Sequence, residues 1–272
     1  MRSPEQQPAP VLPAADPARK GLYRLGGYAA LIALAVIVIE GLVVIIIQAV
    51  WLNSGQFGPS FGGQPSTAIG WFELFQNNRL IGLLDDAVLD IAAAALMAPL
   101  FVALYAALRR ADETWMAVAT ALAIAGIAAY IATNTSFSLL NVSDQYWAAT
   151  SSAQRSLLLA AGQATIAIGG GGLFWSTGFL LVAVAGLIVA SVMRGGKVFG
   201  QSTAWAGVLA NGLYLANYGA LAFVSETSTL STILVGVASV LLFIWYILMA
   251  RGLFQLGWDA SDAPRNLRPT VT

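Results

Sequence analysis

Residues Gly26 to Leu52 read GGYAALIALAVIVIEGLVVIIIQAVWL, and Glu40 is the only charge in the run. A helix needs about 20 apolar residues to cross the roughly 30 Å hydrocarbon core of a bilayer. This run exceeds that length and that of a signal-peptide core. No small-residue cleavage site follows it convincingly, so it reads as an uncleaved membrane helix. The composition of the chain agrees. Of its 272 residues, 58% are hydrophobic and 10% charged, against about 25% charged in a soluble domain. Too few polar side chains remain to coat a globule in water, so lipid is the main solvent.

Apolar runs mark five further spans, at about Arg79–Leu108, Thr114–Thr133, Leu173–Met193, Thr203–Val224 and Thr229–Ala250. The predicted fold is an all-α integral membrane protein with six transmembrane helices. Residues 1–20 are expected to form a disordered tail, rich in Pro, Ala and Gln. Residues 21–252 form the membrane domain, and 253–272 a polar tail. Between spans 1 and 2, the loop NSGQFGPSFGGQPSTAIG leads into WFELF, which reads as a short interfacial helix. Between spans 3 and 4, the polar stretch from Asn134 to Ser156 reads as a solvated loop. The apolar piece Leu157–Ile168 that follows is roughly 12 residues long and too short to cross. It reads as a second interfacial helix or a lid, ending at the glycine run Gly169–Gly172. Pro99 should kink span 2, because proline removes a helical hydrogen bond and clashes with the carbonyl of Ala95.

Basic residues set the orientation. With both termini in the cytoplasm, the inner side holds Arg2, Arg19, Lys20, Arg24, Arg109, Arg110, Arg194, Lys197, Arg251, Arg265 and Arg268. Only Arg79 and Arg155 are left outside, the skew that the positive-inside rule describes. Trp51, Trp71, Trp147 and Trp175 then fall near the outer interface, and Trp115, Trp205, Trp245 and Trp258 near the inner one, as two aromatic belts.

Several chemistries lose their usual ligands and bases at once. Cysteine and histidine are both absent, which removes thiolate nucleophiles, disulfides and the commonest general base, zinc ligand and haem ligand. The glycine run lacks the Lys-Ser/Thr of a phosphate loop, and serines such as Ser176 have no histidine to activate them. Zero net charge gives no sign of a nucleic-acid partner. An enzyme is therefore the weakest reading, and no cofactor or metal is expected.

The acids are the lead. In RLIGLLDDAVLD, Arg79 to Asp90, counting outward from Ala107 puts the outer edge of the hydrocarbon near Val88. Asp85 and Asp86 then sit at headgroup level and Asp90 just inside the core. Spacings of seven and four put Arg79, Asp86 and Asp90 on one helical face. Glu40 lies deeper, between IVI and GLVVIII. A charge there costs several kcal/mol unless it faces the bundle interior, finds a partner or takes up a proton. Gln48 follows two turns later on the same face. In span 5, Asn211, Tyr214, Asn217 and Tyr218 share roughly one face, a pattern that ordinary interhelical hydrogen bonding also produces.

The segments RLIGLLDDAVLDIAAAALMAPLFVALYAALRR and ATNTSFSLLNVSDQYWAATSSAQRSLLLAAGQA resemble a family of bacterial integral membrane proteins defined only as a domain of unknown function, the one numbered four-three-eight-six. The resemblance runs from about Gly21 to about Trp258. It implies a multi-pass protein of the bacterial cytoplasmic membrane and supplies no activity. The family's recurring features map onto Asp85, Asp86, Asp90, Asn134, Asn141, Asp144, Tyr146 and Arg155, without roles.

The functional expectation is a site open to the outer side that binds or conducts a small cation, a proton or a polar ligand. Its candidate residues are Glu40, Arg79, Asp86, Asp90, Arg155, Asn211 and Tyr218. The bilayer and that small ligand are the expected partners. The alternative is a structural or accessory subunit whose polar groups are only helix-to-helix contacts.

Overall fold

A computed structural model describes residues 17–51, 65, 67–169, 176–196, 198–221, 223 and 228–262, without the side chains of 17, 44–51, 85, 86, 169 and 259–262. The first 16 residues, most of the Gly/Ser/Pro loop, the glycines beyond Gly169 and the chain after Asp262 lie outside the described residues. Among the described residues all regular structure is helical: α1 (Lys20–Trp51), α2 (Ala68–Leu83), a π-helical turn (Leu84–Val88), α3 (Leu89–Leu108), α4 (Glu113–Thr133), α5 (Ser136–Ala148), α6 (Ser152–Gly169), α7 (Thr177–Gly195), α8 (Gln201–Ala220) and α9 (Thr229–Asp262). Polar caps fix several starts. Thr67 Oγ1 accepts from the Gly70 N–H, Asp112 Oδ1 from the Trp115 N–H and Ser176 Oγ from the Phe179 N–H. Each satisfies one of the donors that a helix start leaves open.

Six long helices close into a ring in the order α1, α3, α4, α7, α8, α9 and back to α1. Glycines set the spacing. On α4 and α7, Gly126 and Gly178 face each other so closely that a Cβ on either would lie 2.5 Å from the other's carbonyl oxygen. Gly207 of α8 receives the indole of Trp245 from α9, and Gly27 of α1 receives the ring of Phe254. Lipid gives helices no hydrophobic drive to associate, so close backbone approach and dispersion contacts hold such a bundle together. Leu31, Ile32, Val118, Val237, Val240 and Ile247 point outward. This apolar exterior would be unstable in water and suits lipid.

Among the described residues five segments are long and apolar enough to cross a membrane: Lys20–Val43, Leu89–Leu108, Glu113–Ala148, Thr177–Gly195 and Thr229–Trp258. The sequence predicts six. The difference is α8, which has the length but carries Gln201, Ser202, Thr203, Asn211 and Asn217.

Other expectations change too. The stretch read as a solvated loop forms α5 and the start of α6, and the piece Leu157–Ile168 is the larger part of an 18-residue helix. Helix α2 is longer than WFELF and breaks at Asn78 (φ −151°, ψ 82°), where Asn78 Oδ1 accepts from the Ile81 N–H and restarts the helix at Arg79. α3 includes Pro99, and a further irregular turn falls earlier, at Leu84–Val88. α9 runs on to Asp262 with Leu253 fully buried, so helix extends into what reads as a polar tail. Trp71 and Trp245 pack into the protein rather than onto its surface.

Helices α2, α5 and α6 form a small unit with its own core of Trp71, Phe72, Leu74, Phe75, Leu139 and Leu140. Val43 and Leu83 pack on that core, which puts the unit at the end of the ring where α1 finishes and α3 begins. Polar contacts tie it together. Trp147 Nε1 donates to the Phe72 carbonyl at 3.2 Å, and the Ala68 N–H donates to Gln163 Oε1 at 3.2 Å.

Candidate functional site

Asp90 opens α3 and is 3% exposed. Its Oδ2 accepts a 2.6 Å hydrogen bond from the hydroxyl of Tyr130, on the last turns of α4. That length falls within the range of O–H donors to a carboxylate, about 2.5–2.7 Å. The same hydroxyl also hydrogen-bonds to the side chain of Asn134, one turn further on. Asn134 ends α4 in extended backbone, and its Oδ1 also accepts from the Ser136 N–H at 3.2 Å. One asparagine thus links the tyrosine to the first turn of α5.

Glu40 joins this group by register. α1 and α3 run antiparallel, with Gly26 seated against Ala103. About four turns further along α1, and an equal distance back along α3, Glu40 and Asp90 come level. Glu40 is half-buried and lies within electrostatic reach of the Tyr130 hydroxyl. The π-helical turn ends two residues before Asp90, and its widened i+5 pattern is seen in the Leu89 N–H bonding back to the Leu84 carbonyl. Such turns are often found at functional sites.

The remaining sequence candidates go elsewhere. Arg79 makes a two-pronged ion pair with Asp144 of α5, at 2.8 and 3.3 Å, with both side chains about half exposed. Exposed pairs of this kind contribute about 0–1 kcal/mol. The expected stripe of Arg79, Asp86 and Asp90 assumes an unbroken α-helix, whereas the π turn rotates Asp90 away from the face that Arg79 occupies. The side chain of Asp86 lies outside the described residues, as does that of Gln48. Arg155 donates from Nε to the Ala149 carbonyl at 3.1 Å and so caps the end of α5.

The polar face of α8 makes mostly helix-to-helix bonds. Tyr214 bonds Ser239 at 2.7 Å, Ser231 Oγ donates to Asn217 Oδ1 at 2.8 Å and Tyr218 donates to the Ser176 carbonyl at 2.8 Å. Asn211 is the exception. It donates to the Gly207 carbonyl of its own helix and packs on Gly186 of α7.

Of the candidates read from the sequence, the structure therefore brings together Glu40 and Asp90. It adds Tyr130, which the sequence reading did not single out, and Asn134, which was read as loop. A signal for Tyr130 was present: it stands one turn before Asn134 at the end of an apolar span. Among the described residues no group of three or more acids is placed to hold a metal ion. Compared with family models, curated proteins and solved structures, the chain finds no match in any of the three.

Proposed function

We propose that this chain is a multi-pass protein of the bacterial cytoplasmic membrane that binds or conducts a proton or small cation at Glu40, Asp90, Tyr130 and Asn134. The observation that carries the reading is the 2.6 Å bond from Tyr130 to a carboxyl that is only 3% exposed. Two acids at one level inside a low-dielectric bundle repel each other when both are charged. A proton or cation shared between them relieves that repulsion, and uptake and release of such a ligand is the chemistry that two acids, a phenol and an amide can perform. Intramembrane acids are functional candidates for the same reason.

In this reading α8 is the sixth span. It runs between α7 and α9, and its polar side chains turned onto those neighbours explain its lower hydropathy. Both termini are then cytoplasmic, as the basic skew supports, and α2, α5 and α6 lie on the outer side. The bonds of α8 to Ser176, Ser231 and Ser239 favour the second reading, an accessory subunit whose polar groups only join helices.

Reconstituted protein separates the two. Glu40→Gln keeps the shape and a hydrogen bond but removes the titratable charge. Proton or cation flux should fall at least about tenfold, an effect of about 1.4 kcal/mol, with folding retained. Equal flux in wild type, Glu40→Gln and Asp90→Asn would put the accessory reading first.

A further inference from the structure

We infer a binding site for the phosphate of an anionic phospholipid at the opposite end of the ring, on the seam between α1 and α9. The inference needs only the membrane reading and is independent of the acid site.

Lys20, Arg24 and Tyr28 follow one another at four-residue intervals and form a single stripe on α1. Arg24 lies across Gly257 of α9, where a Cβ would come 2.9 Å from its Cγ. The glycine thus makes the space that holds the arginine stem in the seam. Arg24 Nε is buried and has no hydrogen-bond partner. No ion pair of the Arg24 guanidinium occurs among the described residues either. A half-buried guanidinium with an unmet donor is costly unless an acceptor comes to it. Its planar fork matches phosphate oxygens, and Lys20, exposed one turn away, adds a second cation.

The flank of this pair selects a lipid over a free anion. Phe254 lies on Gly27 and meets Tyr28 edge-on at 5.0 Å and Trp258 in a stack at 5.8 Å. Tyr28 and Trp258 are each 57% exposed, so the row of rings faces outward beside the cations. Aromatic side chains favour the headgroup boundary, and basic clusters at helix ends attract anionic headgroups. Inorganic phosphate would use the cations and leave the rings uncovered. A phospholipid uses both.

The test uses the full chain in a neutral detergent with equal amounts of phosphatidylglycerol and phosphatidylcholine of matched acyl chains, read by native mass spectrometry. Wild type should retain phosphatidylglycerol in preference, by about fivefold for each contributing cation. Lys20→Gln with Arg24→Gln should bring the ratio near one while leaving phosphatidylcholine retention unchanged. Arg24→Lys should keep most of the preference, which guards against a folding defect in the double variant. Arg251→Gln, which removes a cation elsewhere on α9, should change nothing. A wild-type ratio near one would overturn the proposal, and so would an equal loss with Arg251→Gln, which marks a diffuse charge effect. Excess inorganic phosphate raising thermal stability as much as phosphatidylglycerol would overturn the lipid assignment.

Discussion

Tyr130 and Asp90 allow the candidate site to be tested by stability alone, without knowing the ligand. Tyr130→Phe removes one oxygen and leaves the ring in place. A hydrogen bond between neutral groups contributes about 0.5–1.5 kcal/mol net, and one to a charged group about 1.5–3 kcal/mol. With Asp90 ionised, the 2.6 Å bond from Tyr130 falls in the second class. Asp90 is almost fully buried, so water cannot replace the lost donor. Tyr130→Phe should therefore cost about 2 kcal/mol, a fall of roughly 4–8 °C in Tm for a chain of this size. Asp90→Asn should cost less, since the amide oxygen still accepts from the tyrosine. The decisive quantity is the coupling in a double-mutant cycle, measured by titrating a denaturing detergent and following helix content by circular dichroism. The geometry predicts a coupling of about 1.5 kcal/mol or more. A coupling below about 0.5 kcal/mol would show that the two side chains do not depend on each other, and the charge-assisted bond at the centre of the site would have to be abandoned.

Two further outcomes follow from the packing. Gly178→Ala pushes a methyl against the Gly126 carbonyl and the Cβ of Tyr130. It should cost about 1–3 kcal/mol as overpacking, and a loss under about 0.5 kcal/mol in the same titration would contradict so close a crossing. The chain has no cysteine, so introduced thiols are clean probes of the α2, α5 and α6 unit. Leu157→Cys and Ile168→Cys, at positions 71% and 76% exposed, should react with an impermeant reagent added outside intact cells, and Leu139→Cys, buried in the core of the unit, should react far more slowly. No reaction at either exposed position would place the unit on the wrong side.

The long apolar helices were legible because their signal is crude and repeated, as in Gly26–Leu52, where length alone decides. The helical cap was not. In SFSLLNVSDQYWA the serines, asparagine and aspartate lower the mean hydropathy, and a polar loop is the natural reading. The helical spacing of the buried Ser136, Leu139, Leu140 and Ser143 was present in the sequence but weak beside that composition. The π turn at LDDAV carries no sequence rule, so the facing of Arg79, Asp86 and Asp90 was counted with the wrong period. α8 shows the reverse. Its polar face is legible in the spacing of Asn211, Tyr214, Asn217 and Tyr218, and helix-to-helix bonding is what most of those side chains do. Glu40 was found by depth, because an acid amid isoleucine and valine is conspicuous. Tyr130 escaped because a tyrosine near the end of a span looks like one more interfacial ring until its hydroxyl is seen to meet Asp90.

The pairing pattern of α8 also bears on how the protein is made. Ribosomes deliver the chain from the N-terminus, and a segment enters the bilayer readily when its own residues favour lipid. α8 carries two buried asparagines and two inward tyrosines, and both Tyr214 and Asn217 find their hydrogen-bond partners on α9. That helix is synthesised afterwards. In the six-span reading proposed above, newly made α8 has part of its polar side unmet until the next helix emerges, and the pair enters as a single hairpin. Truncating the gene after α8 should leave that helix outside the bilayer behind the four apolar segments that precede it, whereas a fragment carried through α9 should insert both.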